Sequence, residues 1–182
     1  SLDKAMDEET GEFGVGFSVD VCQKWENVFN TIKVDSTRKV AIRTAIVLGK
    51  NQGALKPLKI LGKLGLGGKQ GPGNQYFSWI HEQDFVNALD FIIANESLSG
   101  AINISSPNPI NNENFMRSLR NAIHMPFGIP IPSWLLEIGA IIIQTETELI
   151  LKSRWVVPKR LSNAGFKFKY ARIDDALTDL LY

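Results

Sequence analysis

Apolar residues recur at helical spacing in five stretches of the chain, and each stretch predicts an amphipathic helix. Their apolar positions are Val21, Trp25, Val28, Phe29 and Ile32; Leu55, Leu58 and Leu61; Phe85, Val86, Leu89, Ile92 and Ile93; Phe115, Met116, Leu119 and Ile123; and Ile173, Leu177, Leu180 and Leu181. Ser18, Asp84 and either Asn111 or Asn112 stand near the start of three of these stretches. They are predicted N-caps, because a short polar side chain accepts free N–H groups of the first turn. We expect the first helix to end near Val34.

Other stretches are typical of strands. Residues Val40 to Leu48 (VAIRTAIVL) are nearly all apolar and β-branched, which predicts one strand buried on both faces of a sheet. Tyr76 to Ile80 and Ala101 to Ser105 predict two short strands, and alternating aromatic residues and lysines over residues 166–170 predict a half-exposed fourth. Strands that alternate with helices indicate the α/β class.

Two further helices are predicted in the last third of the chain. The longest apolar run, Trp134 to Ile143, predicts a buried helix; it contains Glu137 and is far shorter than the roughly 20 residues of a membrane span. Residues 145–157 are compatible with a helix or a strand, and we favour a helix followed by an extended end. Lys159 to Ala164 predicts a short helix that Gly165 ends.

The stretch from Gly65 to Asp84 (GLGGKQGPGNQYFSWIHEQD) places five glycines and a proline before an aromatic-rich run. Glycine lets the main chain approach a ligand closely, so this loop is a candidate phosphate cradle. The alternative is a tight connection between a helix and a strand, which we favour from the residues alone. The spacing is not the dinucleotide fingerprint, and Lys69 lacks the context of a Walker loop.

Several ordered motifs carry a resemblance to a known family. They are the pattern GLGGxxGxGxQxxSWIHxxD in the stretch above, CQKWE at residues 22–26, RTAIVLG at 43–49, NISSPNP at 103–109 and VPKRLxxAGFxF at 157–168. With these motifs the chain resembles extended short-chain dehydrogenases/reductases, in the NAD(P)-dependent epimerase/dehydratase-like subfamily. The C-terminal portion of that subfamily includes a small domain of unknown function. The similarity runs from about Asp7 to Leu181.

The resemblance implies the C-terminal part of a Rossmann-like NAD(P)-binding fold plus a small α/β substrate-side domain. The implied division is residues 1–52 and 53–106 for the last Rossmann elements, with the glycine-rich loop in the second range, and 107–182 for the C-terminal domain. A complete relative begins with a strand, a glycine-rich turn and a helix that hold the pyrophosphate of the cofactor, and we expect that part to be missing here. NAD or NADP is therefore the cofactor expected of the intact protein, and this chain alone is expected not to bind it tightly.

Short-chain dehydrogenases use a Tyr-x-x-x-Lys pair on one helix, where the phenol transfers a proton and the lysine lowers its pKa. In the extended class a glutamate often follows that lysine by four residues. If Glu26 is this glutamate, Cys22 stands in the lysine position and Ser18 in the tyrosine position, so neither catalytic residue is present. Ser18 is then either a proton donor or an N-cap, and we favour the N-cap. Cys22 is interpreted as a packed thiol, and catalytic residues stay unknown.

Binding residues are expected in two groups. The wall at the end of the strand after residue 40 gives the cofactor-binding candidates, which are Arg43, Thr44, Ala45 and Ile46. For Arg43, an ion pair within the domain and contact with an anionic ligand are equally favoured. The substrate-binding candidates are Gln75, Trp79, His81, Arg154 and Lys159, the last two through a nucleotide phosphate. His81 and Asp84 form a conceivable catalytic pair, but a packed histidine beside a capping aspartate is favoured.

Composition excludes several classes of partner. Twenty basic and nineteen acidic residues give a formal charge of +1, whereas a dedicated nucleic-acid-binding protein is clearly basic. Cys22 is the lone cysteine, so no internal disulfide forms and a reducing cytoplasm is expected. The acidic first residues predict no signal peptide. With two histidines, His81 and His124, no metal cluster is predicted, and no membrane or nucleic-acid partner is expected.

The function implied by the resemblance is that of an NAD(P)-dependent epimerase, dehydratase or reductase acting on a nucleotide-sugar or another polar small molecule. Two alternatives stay open because Ser18 and Cys22 occupy the catalytic positions. One is a non-catalytic binding or regulatory protein of the same fold, and the other is an inactive fragment. Because a Rossmann sheet without its first strands leaves an open edge and an apolar surface, we also expect the chain to self-associate as a dimer.

Overall fold

The computed structural model of the protein describes residues 2–136 and 151–182, and helices and strands alternate along the chain. Within these residues the helices are α1 (Phe17–Thr31), α2 (Leu55–Lys63), α3 (Glu82–Ala94), α4 (Asn112–Ala122), α5 (Lys159–Asn163) and α6 (Ile173–Leu181). The strands are β1 (Val40–Thr44), β2 (Ile46–Gly49), β3 (Gln52–Gly53), β4 (Tyr76–Phe77), β5 (Trp79–His81), β6 (Gly100–Ile104) and β7 (Ile110–Asn111). β1 runs parallel to β6 and β2 parallel to β5, so the predicted α/β class is confirmed.

The stretch predicted as one strand is two strands that change partner at Ala45. The N–H of Ala45 donates to the Ile104 carbonyl at 3.0 Å, and the next N–H, of Ile46, donates to the Ser78 carbonyl at 3.2 Å. The prediction of burial on both faces is wrong for β1, where 41% of Ile42 is exposed. Within the described residues β6 is the only strand that pairs with β1, so one edge of β1 has no neighbouring strand there.

The predicted strand from Tyr76 to Ile80 is also divided, at Ser78. β4 pairs antiparallel with β7, while β5 continues the parallel pairing with β2. The Ser78 hydroxyl accepts a hydrogen bond from the Val156 N–H at 2.8 Å and donates to the Arg154 carbonyl at 2.6 Å. These bonds tie the break in the strand to the segment that precedes α5.

Two apolar clusters lie on opposite sides of β5, because successive side chains of a strand point to opposite faces. The first packs β5 against α2, α4 and α6, and its buried members are Leu48, Leu55, Leu58, Phe77, Trp79, Phe115, Met116, Leu119, Ile173, Ala176, Leu177 and Leu180. The second packs β5 and β6 against α3 and α5, through Ile80, Ala88, Ile92, Leu98, Ile102, Ile104, Leu161 and Phe166. Together they place β5 between two groups of helices, α2, α4 and α6 on one side and α3 and α5 on the other.

Of the helices in the described residues, α1 is the least buried. Its N-cap position is Gly16, so the predicted N-cap at Ser18 is wrong, and it ends at Thr31, before the predicted end. The ammonium group of Lys39 accounts for the end, because it donates to three main-chain carbonyls there, those of Phe29, Asn30 and Ile32. None of the α1 residues is buried, and Trp25 is 70% exposed. The apolar stripe therefore faces outward among the described residues.

Helices α3 and α4 differ in how well their caps were predicted. Asn111 caps α4 by accepting from the Asn114 N–H, as predicted. In α3 the N-cap is His81, whose Nδ1 accepts from the Gln83 N–H at 3.0 Å, so the predicted cap at Asp84 is wrong. Two residues of α3 predicted to point inward are exposed instead, Val86 and Ile93.

Asp84 lies inside α3 and is buried, and its carboxylate accepts from the N–H groups of Lys169 and Tyr170, both at 2.8 Å. These N–H groups would join a ladder if residues 166–170 formed the predicted strand. Residues 166–170 are not a strand and bend at Lys169, so the prediction is wrong; the Asp84 side chain accepts two of the N–H groups that a neighbouring strand would bind.

The glycine-rich stretch forms a short parallel ladder with residues 127–131. Gly68 N–H donates to Ile129 O, Ile129 N–H to Gly65 O, and Gly71 N–H to Ile131 O, at 2.8–3.1 Å. A Cβ on Gly68 would overlap the main chain of Ile129 and Pro130. Close packing of two chain segments thus requires this glycine, which supports the favoured interpretation of a tight connection.

Two predicted helices lie partly outside the described residues. Residues 133–136 are helical, but Trp134 and Leu135 are exposed, so the prediction of a buried helix is wrong for this part. Residues 137–150 are outside the described part of the chain. The rest of the predicted buried helix, and the first half of the predicted helix over residues 145–157, lie there. Of the helices in the described residues, none combines the length and the apolar character needed to cross a bilayer. The division at residues 52 and 106 stays a prediction.

Candidate functional site

A cavity of about 1040 Å³ opens at the carboxyl end of β1. Its walls come from α1, the β1–β2 junction, the first residues of the chain and the segment before α5. The described residues that line it are Asp3, Lys4, Met6, Asp7, Gly11, Glu12, Phe13, Gly14, Ser18, Val19, Cys22, Glu26, Arg43, Thr44, Ala45, Ile46, Ser78, Asn103, Lys152, Ser153, Arg154, Trp155 and Val156. Ligands of open α/β sheets bind outside the carboxyl ends of the strands, so this cavity is the candidate site.

One face of α1 forms a wall of the cavity. Ser18, Cys22 and Glu26 are spaced by four residues and all line it. If Glu26 is the glutamate of the extended class, as predicted, this is the face that would carry the tyrosine and the lysine, and here it carries a hydroxyl and a thiol. Cys22 is exposed, so the expected packing of its thiol is wrong.

Arg43 forms a bidentate ion pair with Glu26 across the cavity wall. Its Nε lies 2.7 Å from one carboxylate oxygen and its Nη2 lies 2.6 Å from the other. The guanidinium also lies over the Phe13 ring, 5.1 Å from the centroid. The hydrogen bonds from Arg43 lower the pKa of Glu26, and those to Glu26 raise the pKa of Arg43. The pairing alternative for Arg43 is therefore correct, although the side chain still lines the cavity.

The N-terminal strap, which we define as residues 4–13, closes another side of the cavity. Met6 makes two main-chain bonds, from its N–H to Trp155 O at 2.7 Å and from the Val157 N–H to its own carbonyl at 3.0 Å. Farther along, Glu8 accepts from the Asn103 N–H at 3.0 Å. The strap is thus tied both to β6 and to the segment before α5.

Lys159 anchors the strap rather than the cavity. Its ammonium lies 2.6 Å from a Glu9 carboxylate oxygen and 3.3 Å from one of Asp7. The hydrogen bond to Glu9 is the largest cause that raises the pKa of Lys159. The pKa of Asp7 is lowered chiefly by the hydrogen bond from the Thr10 N–H. Lys159 is not among the residues that line the cavity, whereas Arg154 is.

Three of the predicted substrate residues lie elsewhere. Trp79 is fully buried in the first apolar cluster, and Gln75 is buried with its side-chain amide donating to the Gln70 carbonyl at 2.8 Å. His81 is buried at the start of α3. The structure therefore brings together Arg43, Thr44, Ala45, Ile46 and Arg154, and it separates the other four candidates from them.

His81 takes part in a contact between α3 and α6. Its Nδ1 accepts from Gln83, so the proton is on Nε2, which lies 3.2 Å from the Asp179 carboxylate. The Tyr170 ring stacks on the imidazole at 3.8 Å, and its hydroxyl donates to Asp179 at 2.6 Å. Burial lowers the pKa of His81, and the Tyr170 hydrogen bond lowers that of Asp179. Both ring nitrogens therefore have hydrogen-bond partners within the protein, and His81 does not line the cavity.

Sequence reasoning missed the aromatic part of the cavity, Trp155 and Phe13. Trp155 stacks nearly parallel on Tyr76, with centroids 3.9 Å apart and 11° between the planes. The sequence feature that could have identified Trp155 is its position next to Arg154, a residue that was chosen as a binding candidate for its charge alone. In the described part of the chain, no three His, Cys, Asp or Glu side chains are grouped to hold a metal ion.

Comparison with known families matches residues 131–180 to the family described as a domain of unknown function, DUF1731. An epimerase family protein from Mycobacterium leprae is 34% identical over 176 residues, a match that covers 97% of this chain and 56% of that protein. The chain thus spans little more than half the length of this relative.

Two solved structures are similar over nearly the whole chain. The human epimerase family protein (isoform 2), crystallised with NADPH, has a TM-score of 0.87 at 28% identity, covering 99% of this chain and 60% of the human one. The nucleoside-diphosphate sugar epimerase of Corynebacterium glutamicum has a TM-score of 0.77 at 28% identity, covering 98% of this chain and 34% of that one. These similarities confirm the predicted α/β, Rossmann-like fold class.

Proposed function

Since this chain belongs to the epimerase family of NAD(P)-dependent, extended short-chain dehydrogenase/reductase-like proteins, we propose that it supplies the substrate side of a cytoplasmic NAD(P)-dependent enzyme. The observation that carries this proposal is the position of the cavity at the carboxyl end of β1, lined by one face of α1. The exposed Cys22 thiol suits a reducing cytoplasm.

The residues present fit one part of the cofactor. Thr44, Ala45 and Ile46 line the cavity and would contact its nicotinamide side. Among the described residues, the turn from the parallel strand β2 to α2 contains Gly49 and Gly53 but folds into the antiparallel β2–β3 pair, and it lacks the GxGxxG spacing of a turn that holds a dinucleotide pyrophosphate. When bound, the cofactor would supply hydride transfer at a carbon that bears a hydroxyl or carbonyl group.

The substrate we propose is a small polar molecule, with a nucleotide-linked sugar as the first to test. This choice rests on the name of the similar Corynebacterium protein, a nucleoside-diphosphate sugar epimerase. The Ser18 hydroxyl would hydrogen-bond the reacting oxygen, and the Arg43–Glu26 pair would hold the adjacent wall in place. Arg154 is the cation that we place nearest the substrate.

Fluorescence titration with NADPH tests the proposal. One protein is the 182-residue chain, and the other is a chimera in which the unmatched segment of the human relative precedes Ser1. We expect the chimera to bind NADPH and the 182-residue chain not to bind it in the low-micromolar range, because the described residues contain no GxGxxG turn between a strand and a helix. If a folded chimera fails to bind NADPH, the proposed function is wrong; low-micromolar binding by the shorter chain contradicts the second expectation.

A second candidate function is non-catalytic ligand binding, and the observation that favours it is the Ser18 and Cys22 pair on the cavity face of α1. The chimera should be compared with its Ser18→Tyr, Cys22→Lys double variant for hydride exchange between NADP⁺ and the hydroxyl-bearing carbons of nucleotide-sugars, in which the sugar is oxidised to a ketone and NADP⁺ is reduced to NADPH. Exchange by the chimera before the substitutions supports the enzyme. Exchange that is gained only with the substitutions supports a binding protein on an enzyme fold.

A further inference from the structure

The cavity has an aromatic wall whose position is fixed. The Trp155 ring lines the cavity and is stacked on Tyr76, which does not line it. Tyr76 therefore supports one face of Trp155 from the protein side. Trp155 is half-buried and is one of the residues that line the cavity.

The main chain around Trp155 is held as firmly as its ring. Its carbonyl accepts from Met6 of the N-terminal strap, and the N–H groups on either side, of Arg154 and Val156, donate to Tyr76 O and to Ser78 Oγ. A ring that is held before a ligand arrives loses little conformational freedom on binding. Trp155 is thus a preorganised flat surface.

The charges of the wall do not favour an anion. Among the described residues the lining has four acidic side chains (Asp3, Asp7, Glu12 and Glu26) and four basic ones (Lys4, Arg43, Lys152 and Arg154), so its formal charges cancel. Arg43 is already paired with Glu26, and Lys4 with Glu12. Tight phosphate binding needs several unpaired donors or cations directed at one point. The uncharged lining, by contrast, includes Met6, Phe13, Val19, Ala45, Ile46, Trp155 and Val156.

We infer that Trp155 is a stacking platform for an uncharged planar or apolar ring of the ligand, and that this wall does not hold the ligand's phosphate. The inference rests on the proposed function, since it takes the cavity as the substrate site. It adds which part of the substrate this wall of the cavity binds. It makes Trp155, rather than Arg154 or Lys159, the residue of this chain that selects the substrate.

NMR with two probes tests the inference on the ¹⁵N-labelled 182-residue chain. Acetophenone is an uncharged aromatic ketone, and inorganic pyrophosphate is an anion without a ring. We expect acetophenone to shift the indole N–H signal of Trp155 in a saturable way, and pyrophosphate at equal concentration to leave it unchanged. Trp155→Ala should weaken acetophenone binding roughly ten-fold, measured on the remaining cavity signals, because stacking on an aromatic side chain contributes about 1–3 kcal/mol.

Two variants serve as controls. Trp155→Phe keeps a ring on the same main chain and should retain most of the affinity, which separates stacking from misfolding. Trp134→Ala removes an exposed indole that does not line the cavity and should change nothing. Pyrophosphate binding without acetophenone binding, an equal non-saturable shift of all indole signals, or unchanged affinity in Trp155→Ala would each overturn the inference. Cofactor binding by the chimera is measured separately, so either idea can fail while the other holds.

Discussion

The carboxylate of Asp84 connects α3 to two consecutive residues that follow it by 85 and 86 positions in the sequence. It is buried and accepts the main-chain N–H groups of Lys169 and Tyr170. A buried donor that loses its acceptor costs about 1–3 kcal/mol, and here two donors depend on one side chain. Asp84 therefore holds the segment before α6 against α3.

We predict that Asp84→Ala lowers the free energy of unfolding by about 3 kcal/mol, because both N–H groups lose their acceptor. Urea denaturation measures it. Asp90→Ala is the matched control, since Asp90 is an exposed residue of the same helix and should cost less than about 0.5 kcal/mol. Equal, small effects of the two substitutions would show that the Asp84 bonds contribute little.

Protonation of His81 should weaken the fold. Its Nδ1 is an acceptor and its Nε2–H a donor, so an added proton must go to Nδ1 and would face the Gln83 N–H. Burial lowers its pKa from the ordinary 6.5, against the opposing effect of Asp179, Asp84 and Glu82. Because the unfolded chain then binds the proton more readily, the stability due to neutral His81 is complete above about pH 6.5 and is lost as the pH falls through the native pKa.

We predict that the urea concentration at the unfolding midpoint decreases when the pH is lowered from 7.5 to 5.5. In the His81→Asn variant this decrease should be smaller. Asn keeps a side-chain acceptor at the N-cap but does not titrate in this range. His124→Asn is the control, because Asn tolerates the positive φ of 56° at this position. The wild-type fall should persist in that variant. If the decrease with pH becomes smaller in His124→Asn and not in His81→Asn, the assignment to His81 is wrong.

At the scale of elements, the ladder between the glycine-rich stretch and residues 127–131 depends on close approach of two main chains. A side chain at Gly68 has no room, whereas a Cβ at Gly14 meets one atom at 3.8 Å. We predict that Gly68→Ala costs about 1–3 kcal/mol through overpacking and that Gly14→Ala is nearly neutral. Urea denaturation compares them. If Gly68→Ala is also neutral, the two segments separate without cost and the ladder is not a structural requirement.

Local sequence patterns predicted most of the helices and strands, but they did not predict which elements pack or pair with one another. Asn111 and the short helix before Gly165 were predicted because caps and stops act within a few residues. The break at Ala45 depends on two strands far along the chain, so nothing in VAIRTAIVL indicates it. Asp84 has the same local surroundings whether it caps a helix or accepts from residue 169. The cavity was found in part, through Arg43 to Ile46 and Arg154, while Trp155 was missed because its contacts with Tyr76 and Met6 are long-range.

At the scale of the whole molecule, the exposed apolar stripe of α1 lies next to β1, and the Arg43–Glu26 ion pair joins the two elements. Phe17, Trp25 and Val28 of α1 are exposed, and β1 has one edge without a strand in the described residues. Exposed apolar patches and open strand edges favour association. We propose that two copies of the chain associate about a twofold axis through these surfaces.

We predict a dimer at micromolar concentration by light scattering, and a monomer for the Trp25→Glu, Val28→Glu variant. Val86→Glu is the matched control, because Val86 is an exposed apolar residue of α3, outside α1 and β1, and its substitution should leave the dimer intact. A wild-type chain that is monomeric and binds little of a hydrophobic dye would contradict the proposal.

The N-terminal strap also governs the order in which the protein acquires its shape. Glu8 and Arg160 are 152 residues apart, yet they share a hydrogen bond, as do Glu9 and Lys159. During synthesis residues 8 and 9 must wait for residues 159 and 160, so the strap can close the cavity only after the intervening chain has been made. Contacts of such long range are slow to form, and the strap, which adds few buried apolar residues, should open before the core does. We therefore expect the cavity to close after the two apolar clusters have formed and to open before they do.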